Sequence, residues 1–240
     1  MATKEELQLK KAQRGITLLY EVSRAVVSNR YLEEILSLVV GLTAEVIGSK
    51  ICSLMLLDEE KQELVIKATQ SLSEAYRSKP PIKVGESVSG RAVQTRQPIT
   101  VLDVKKEKGY KYPEIARQEG LTSLVAVPMR VKDRVMGVLN CYTTEEREFT
   151  PEEIQLLQGV ANQAALAIDN TRLLAERVAS QEALETRKKV ERARGILMKR
   201  HQVGEAEAYR MLQKQSMDKR HSLKEIAEAI IVSEDISTSS

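Results

Sequence analysis

Apolar residues recur every three or four positions near the start of the chain, at Leu7, Ile16, Leu19, Val22 and Val26, with Leu9 and Leu18 alongside. That period predicts an amphipathic helix from about Glu5 to Val27. Leu32, Ile35, Leu36, Val39, Val40 and Ile47 repeat it, and Gly48 is placed to stop a second helix. The pattern then changes. In "ICSLMLLDEEKQELVIKAT" two apolar runs flank a charged segment, which predicts a β-hairpin. "IKVGESVSGRAVQTRQPITVLDV" predicts a turn at Gly85, a short helix from about Ser87 to Thr95, and a strand from Ile99 to Val104 entered through Pro98, which cannot extend the helix. The lysine-rich stretch Lys105 to Gly120 reads as a loop with one helical turn around Glu114 to Gln118, and it is the candidate lid. Leu121 to Val131 and Arg134 to Thr143, meeting at "KDR", predict a second hairpin.

Thr150, Pro151 and Glu153 form an N-cap, a first-turn proline and a capping-box partner. They open a helix expected to run from about Glu152 to His201, on the order of 75 Å at 1.5 Å per residue. Ile154, Leu157, Ala161, Ala164, Ile168 and Thr171 alternate at three and four, as do Ala183, Thr186, Val190, Ala193 and Leu197, with Glu176 and Gln181 interrupting the register between them. A parallel homodimeric coiled coil would use such a seam, and a helix folded back on its own domain would use it equally well. Gln202, Val203 and Gly204 break the helix. Glu205 to Gln215 predicts another, with Ala208, Tyr209 and Leu212 on its apolar face and Met211 beside it. Ser222 with Glu225 starts a third, whose apolar face is Leu223, Ile226, Ala227, Ile230 and Ile231. The fold expected is an α+β sensor-like domain, an antiparallel sheet flanked by helices, joined by a long coiled-coil helix to an all-α three-helix bundle. The boundaries expected are 1–172 for the first domain, 173–190 for the helical linker, 178–232 for the basic module overlapping it, and 233–240 for a disordered tail.

Charge sharpens this division. Residues 1–186 carry 25 Lys and Arg against 26 Asp and Glu, residues 187–224 carry 12 against 4, and the last sixteen carry four acids and no base. Positive charge concentrated in one segment favours a polyanionic partner. No run of about 18 uncharged apolar residues occurs, and "MATKEELQLKK" lacks the apolar core of a secretory signal, so a soluble cytoplasmic protein without membrane contact is expected. Cys52 and Cys141, the only cysteines, sit in apolar runs. They offer neither a disulfide framework nor, with just His201 and His221, a zinc site. Both cysteines read as small buried hydrophobes, and both histidines as helix-end and turn residues. No catalytic or metal-ligating group is assigned.

The blocks "ICSLMLLDEEKQELVIKA", "VGESVSGRAVQTRQPITVLDV", "LTSLVAVPMRVKDRVMGVLNCY" and "FTPEEIQLLQGVANQAALAIDN" together resemble a GAF domain over roughly residues 15–172. The resemblance implies a sensor with a lidded pocket for a small-molecule or protein signal. Relatives bind cyclic nucleotides, haem or bilins, and no cofactor is assigned here. The cysteines are misplaced for bilin attachment, residues 1–200 contain no histidine for haem, and the paired cysteines of the sulfoxide-reducing relatives are missing. Tyr76, Arg77, Tyr110, Lys111 and Tyr112 are the candidate pocket residues, or solvated loop residues.

"ARGILMKRH", "EAEAYRML", "SMDKRHSL" and "IAEAII" resemble the ANTAR domain, a three-helix RNA-binding module of bacterial antitermination regulators, over roughly residues 178–232. Gln213 and Ser216 depart from its usual Arg and Ala. The resemblance implies a dimeric regulator that binds tandem hexaloop stem-loops in nascent mRNA and prevents terminator formation, touching RNA polymerase only indirectly. Arginine and lysine neutralise phosphates while unpaired loop bases are read at close range. The RNA-contact candidates are therefore Arg194, Lys199, Arg200, Arg210, Lys214, Lys219 and Arg220, with Ala193, Gly195 and Ser216 as points of close approach. A DNA-binding regulator, docking the basic bundle in a major groove, is the alternative. A GAF-type methionine sulfoxide reductase is a further one and would require Cys52 or Cys141.

Overall fold

The computed structural model describes residues 4–28, 30–71 and 73–237. Its chain divides into two compact units at Arg172/Leu173. The first begins with α1 (Lys4–Val26) and α2 (Leu32–Ile47). Gly48 ends α2 in the left-handed region at φ 70°, which a residue without Cβ reaches at no steric cost. β1 (Ile51–Asp58) and β2 (Glu63–Thr69) form the first hairpin. Its turn is held by the Asp58 carboxylate, which accepts from the amides of Glu60 and Lys61, both at 3.1 Å.

Two short elements follow that the sequence pattern does not announce, α3 (Glu74–Arg77) and β3 (Ile82–Lys83). Each is too short to display a period. α4 (Ser87–Thr95) occupies the expected span and lies so close to the chain before it that a Cβ on Gly90 would collide with the Lys83 carbonyl. β4 is shorter than expected, Ile99–Val101, because Val104 donates to Thr122 in a loop contact and not to a neighbouring strand. α5 (Pro113–Gln118) is the single turn foreseen in the lid. β5 (Leu124–Val131) and β6 (Arg134–Tyr142) complete a six-stranded, wholly antiparallel sheet of order β3-β2-β1-β6-β5-β4.

Alternation on the central strands decides what each sheet face carries. Cys52 and Leu54 of β1, with Leu139 and Cys141 of β6, point into a core shared with α1, α2 and the first part of α6 (Pro151–His201). Ile51 and Met55, with Val138 and Tyr142, point the other way, into a core closed by α3, α4, α5 and the lid. Helix α6 starts on the expected capping box: the Thr150 amide donates to Glu153 Oε2 at 3.0 Å, and the Glu153 amide donates to Thr150 Oγ1 at 3.3 Å. Leu157, Ala161, Ala164 and Ile168 are buried in the first core. This half of the expected coiled-coil seam is therefore consumed within its own unit.

The second unit consists of the rest of α6, α7 (Glu205–Lys219) and α8 (Leu223–Ser237). Val190, Ala193 and Leu197 belong to its interior, so the later part of the seam is also consumed locally. The expected tail is corrected in part. Residues 233–237 are the last turn of α8, and Glu234 and Asp235 pair with Arg200 and Arg192 of α6, an anchor that sequence order does not display. Residues 238–240 lie outside the described residues.

Candidate functional site

Each helix of the second unit contributes one completely buried alanine, Ala193, Ala208 and Ala227. Small side chains at these points let the helices approach, and Leu197, Leu212, Ile226 and Ile230 fill the space between them. The junctions are locally determined. Gln202 takes φ 51° after α6, and Arg220 takes φ 54° after α7. Ser216 Oγ donates to the His221 carbonyl at 2.6 Å, tying the α7–α8 turn. Ser222 and Glu225 then cap α8 reciprocally, the Ser222 amide donating to Glu225 Oε2 at 2.7 Å and the Glu225 amide to Ser222 Oγ at 3.2 Å.

Acids and bases segregated along the sequence meet in this bundle. Lys189 pairs with Glu228 at 2.6 Å, Arg192 with Asp235 at 2.8 Å, and Arg200 with Glu234. Arg194 lies between Glu191 and Glu205, and Arg210 pairs with Glu207. Of the expected contact residues, Lys199, Lys214, Lys219 and Arg220 remain exposed and without an ion pair among the described residues. These four present their full charge to solvent.

Three of the small-residue and apolar assignments change. Ala193 is 0% exposed and belongs to the bundle core, so it offers no surface for close approach. Ser216 is half-buried and committed to the turn. Tyr209, expected on the apolar face, is 36% exposed beside the buried Ala208. Helical rotation places Tyr209 at the edge of the buried stripe, which a three-residue apolar cluster in the sequence cannot resolve. Gly195 keeps open space, with no atom beyond its chain neighbours and its own helix backbone within 4 Å of where a Cβ would stand.

In the first unit the five candidate pocket residues separate. Tyr76 is buried, and its hydroxyl shares a 2.8 Å hydrogen bond with Ser53 Oγ. Its ring meets Tyr142 edge-on at 6.0 Å, and Tyr110 donates to the Tyr142 hydroxyl at 3.3 Å. Burial raises the pKa of all three phenols, holding them neutral. Arg77 is exposed and stands outside this cluster, because one residue along α3 from the buried Tyr76 faces away. Lys111 and Tyr112 fasten the lid, Tyr112 with its ring partly packed against the second core. Lys111 Nζ lies 2.8 Å from Glu86 Oε2 and 3.2 Å from the Pro81 carbonyl, and the Tyr112 hydroxyl donates to the Pro80 carbonyl at 2.7 Å.

The structure adds Ser53, Lys79, Ser89, Asn140 and Tyr142 to the interior cluster. Asn140 carried a usable signal, one amide inside the apolar strand "VMGVLNCY". Lys79 carried none. Among the described residues no group of three His, Cys, Asp or Glu is arranged to hold a metal, and no helix is long and apolar enough to cross a membrane.

The GAF domain model matches residues 29–169, and the ANTAR domain model matches residues 179–231. The chain belongs to the GAF-ANTAR family. Its GAF portion is similar to the methyl sulfide methyltransferase-associated sensor of Methanosarcina acetivorans, 29% identical over 168 residues that make up 68% of this chain and 17% of that protein. Its ANTAR portion is similar to the transcriptional regulatory protein PdtaR of Mycobacterium tuberculosis, 41% identical over 61 residues, 25% of this chain and 30% of that protein. The GAF-ANTAR chain thus spans less than a third of either relative. Among solved structures it is similar to the GAF domain of a phosphoenolpyruvate-protein phosphotransferase from Coxiella burnetii, with a TM-score of 0.63 and 25% identity over 69% of this chain and 98% of that one. It also shares the fold of a free methionine-R-sulfoxide reductase from Neisseria meningitidis, with a TM-score of 0.60 and 20% identity over 72% of this chain and 96% of that one. A sensor unit followed by an ANTAR unit is the architecture of a signal-responsive regulator.

Proposed function

We propose that this GAF-ANTAR protein is a cytoplasmic transcription antiterminator. Its basic bundle binds tandem hexaloop stem-loops in nascent mRNA and prevents a terminator from forming, with RNA polymerase affected only indirectly. The observation that carries this reading is the division of charge in the bundle. α8 neutralises Lys189, Arg192 and Arg200, while Lys199, Lys214, Lys219 and Arg220 stay exposed and unpaired. Unpaired cations are the ones that exchange their counterions for phosphates. Exposed Tyr209 adds a ring on which an unpaired base can stack. The GAF unit supplies the signal, a small molecule or a protein.

The protein acts as a dimer in this reading. Leu173, Leu174, Val178 and Leu184 of α6 are each at least 48% exposed, more apolar surface than a solitary helix segment usually presents to water. Two bundles held together would engage paired hairpins at high effective concentration.

The test is a salt titration of binding to a paired-hairpin RNA, with a loop-scrambled RNA and a DNA duplex of equal length as controls, alongside light scattering for the oligomeric state. Loop-dependent binding by a dimer supports the reading. Equal, salt-sensitive binding to all three nucleic acids would reduce the bundle to a nonspecific basic surface, and preference for the duplex would make it a DNA-binding regulator.

A further inference from the structure

Between the sheet and the lid lie polar groups that a hydrophobic core does not require. Asn140 is 0% exposed near the C-terminal end of β6, opposite Ser53 on β1 and Ala126 on β5. Its Oδ1 accepts from Ser89 Oγ of α4 at 2.9 Å, but its Nδ2 is buried with no hydrogen-bond partner. A buried amide donor without an acceptor is costly and uncommon in a native core.

A cationic donor lies against the Tyr76 ring. Lys79 is half-buried, with its ammonium 3.9 Å from the centre of the Tyr76 ring and 6.0 Å from that of Tyr142. No carboxylate pairs with it among the described residues. The rings offer a cation their π-faces but cannot replace a counter-anion. Burial lowers the Lys79 pKa to about 7. Tyr76 connects the two donors, since it lies under the Lys79 ammonium and its hydroxyl is bonded to Ser53, the residue directly across the ladder from Asn140. The other hydroxyls are engaged with one another, Tyr110 donating to Tyr142. What the cluster lacks is acceptors, one of them negatively charged, and its walls are aromatic.

We infer that this cluster is a binding site for a small carboxylate-bearing molecule, whose carboxylate meets the Lys79 ammonium and whose further acceptor oxygen takes the Asn140 Nδ2 donor. The Tyr76 and Tyr142 rings flank its carbon skeleton. The inference rests on the reading of the GAF unit as a ligand sensor and names the class of ligand.

Calorimetry on the full chain tests it, with acetate, malonate and succinate as probes and inorganic phosphate as a different anion. At about pH 8 the Lys79 amine is largely neutral, and a bound carboxylate draws a proton onto it. The expected result is saturable binding of at least one carboxylate, with a heat that depends on the ionisation enthalpy of the buffer. Lys79→Met and Asn140→Leu, which keep volume and remove a donor, each weaken binding about tenfold or more, while Lys61→Met on the exposed β1–β2 turn leaves it unchanged. Asn140→Leu melts no lower than the parent, which separates loss of a ligand contact from loss of fold, and Lys79→Gln serves if Lys79→Met does not fold.

Absence of saturable carboxylate binding up to roughly 10 mM, binding of phosphate alone, or binding indifferent to both substitutions overturns the inference. Carboxylate binding that leaves RNA affinity unchanged would keep this site and remove its role as the sensor. RNA affinity that responds to some other ligand, without carboxylate binding, would do the reverse.

Discussion

Cys52 and Cys141 face one another across the β1–β6 ladder with their sulfurs 3.7 Å apart, and neither is exposed to solvent. Burial, and then the neighbouring thiol, pushes the Cys52 pKa well up, which removes the thiolate that nucleophilic or redox chemistry needs. Both thiols are expected to resist iodoacetamide in the native protein and to react on unfolding, followed by intact mass. Replacing both with alanine should leave RNA binding unchanged at a cost of a few kcal/mol in stability. Stoichiometric labelling of the folded protein, or a cysteine-dependent sulfoxide reductase activity, would contradict this account.

The division of charge in the bundle predicts unequal effects among basic residues. Lys199→Ala, Lys214→Ala and Lys219→Ala should each flatten the salt dependence of RNA binding by up to about 0.7 in log–log slope, with melting unchanged. Arg192→Ala and Arg200→Ala remove partners of Asp235 and Glu234, so they should loosen the end of α8 and affect RNA binding less directly. Parallel titrations and circular dichroism melts distinguish the two groups, and equal slopes across them would refute the division.

Ala193 and Gly195, two residues apart on α6, should behave oppositely. Ala193→Leu overfills a closed core and is expected to destabilise the bundle by about 1–3 kcal/mol. Gly195→Ala enters open space in a helix and should stabilise it by about 0.5–1 kcal/mol. Should the RNA backbone approach α6 at Gly195, that more stable variant will bind RNA more weakly, a combination that only a contact can produce.

Lys79 gives the first unit a pH signature. An unfolded lysine keeps its proton to about pH 10, while the buried amine, facing Tyr76 and Tyr142, releases it near about 7. The unfolded state therefore binds more protons across that window, and stability rises with pH through it. Lys79→Met should melt above the parent at pH 6 to 7, with the difference shrinking toward about pH 10. A difference that does not change with pH would show that the ammonium is solvated in the folded state.

Much of the architecture was legible in the order of residues, for reasons that act over a few positions. The 3.6-residue period located α1, α2 and α6. Gly48 and the Thr150–Glu153 and Ser222–Glu225 boxes set helix ends, because capping groups bond to backbone three or four residues away. Apolar runs separated by polar turns located both hairpins. Period alone could not say what covers an apolar face. The α6 pattern that fits a coiled coil is filled by the sheet core through Ile168 and by α7 and α8 from Val190 onward, leaving Leu173, Leu174, Val178 and Leu184 between them exposed.

The site residues divide along the same line. Sequence determined that positive charge gathers in residues 187–224 and that tyrosines and lysines cluster near the lid, since composition is a property of the chain itself. Tertiary structure alone decided which cations stay unpaired, because Glu228, Glu234 and Asp235 reach their partners only when α8 folds against α6. It also decided that Lys79 and Asn140, 61 positions apart in the sequence, supply donors to one cluster, with the Asn140 Nδ2 left without an acceptor. Hydrogen bonding and charge pairing depend on distances of a few ångströms, and those distances are set by the packing of helix on sheet and helix on helix.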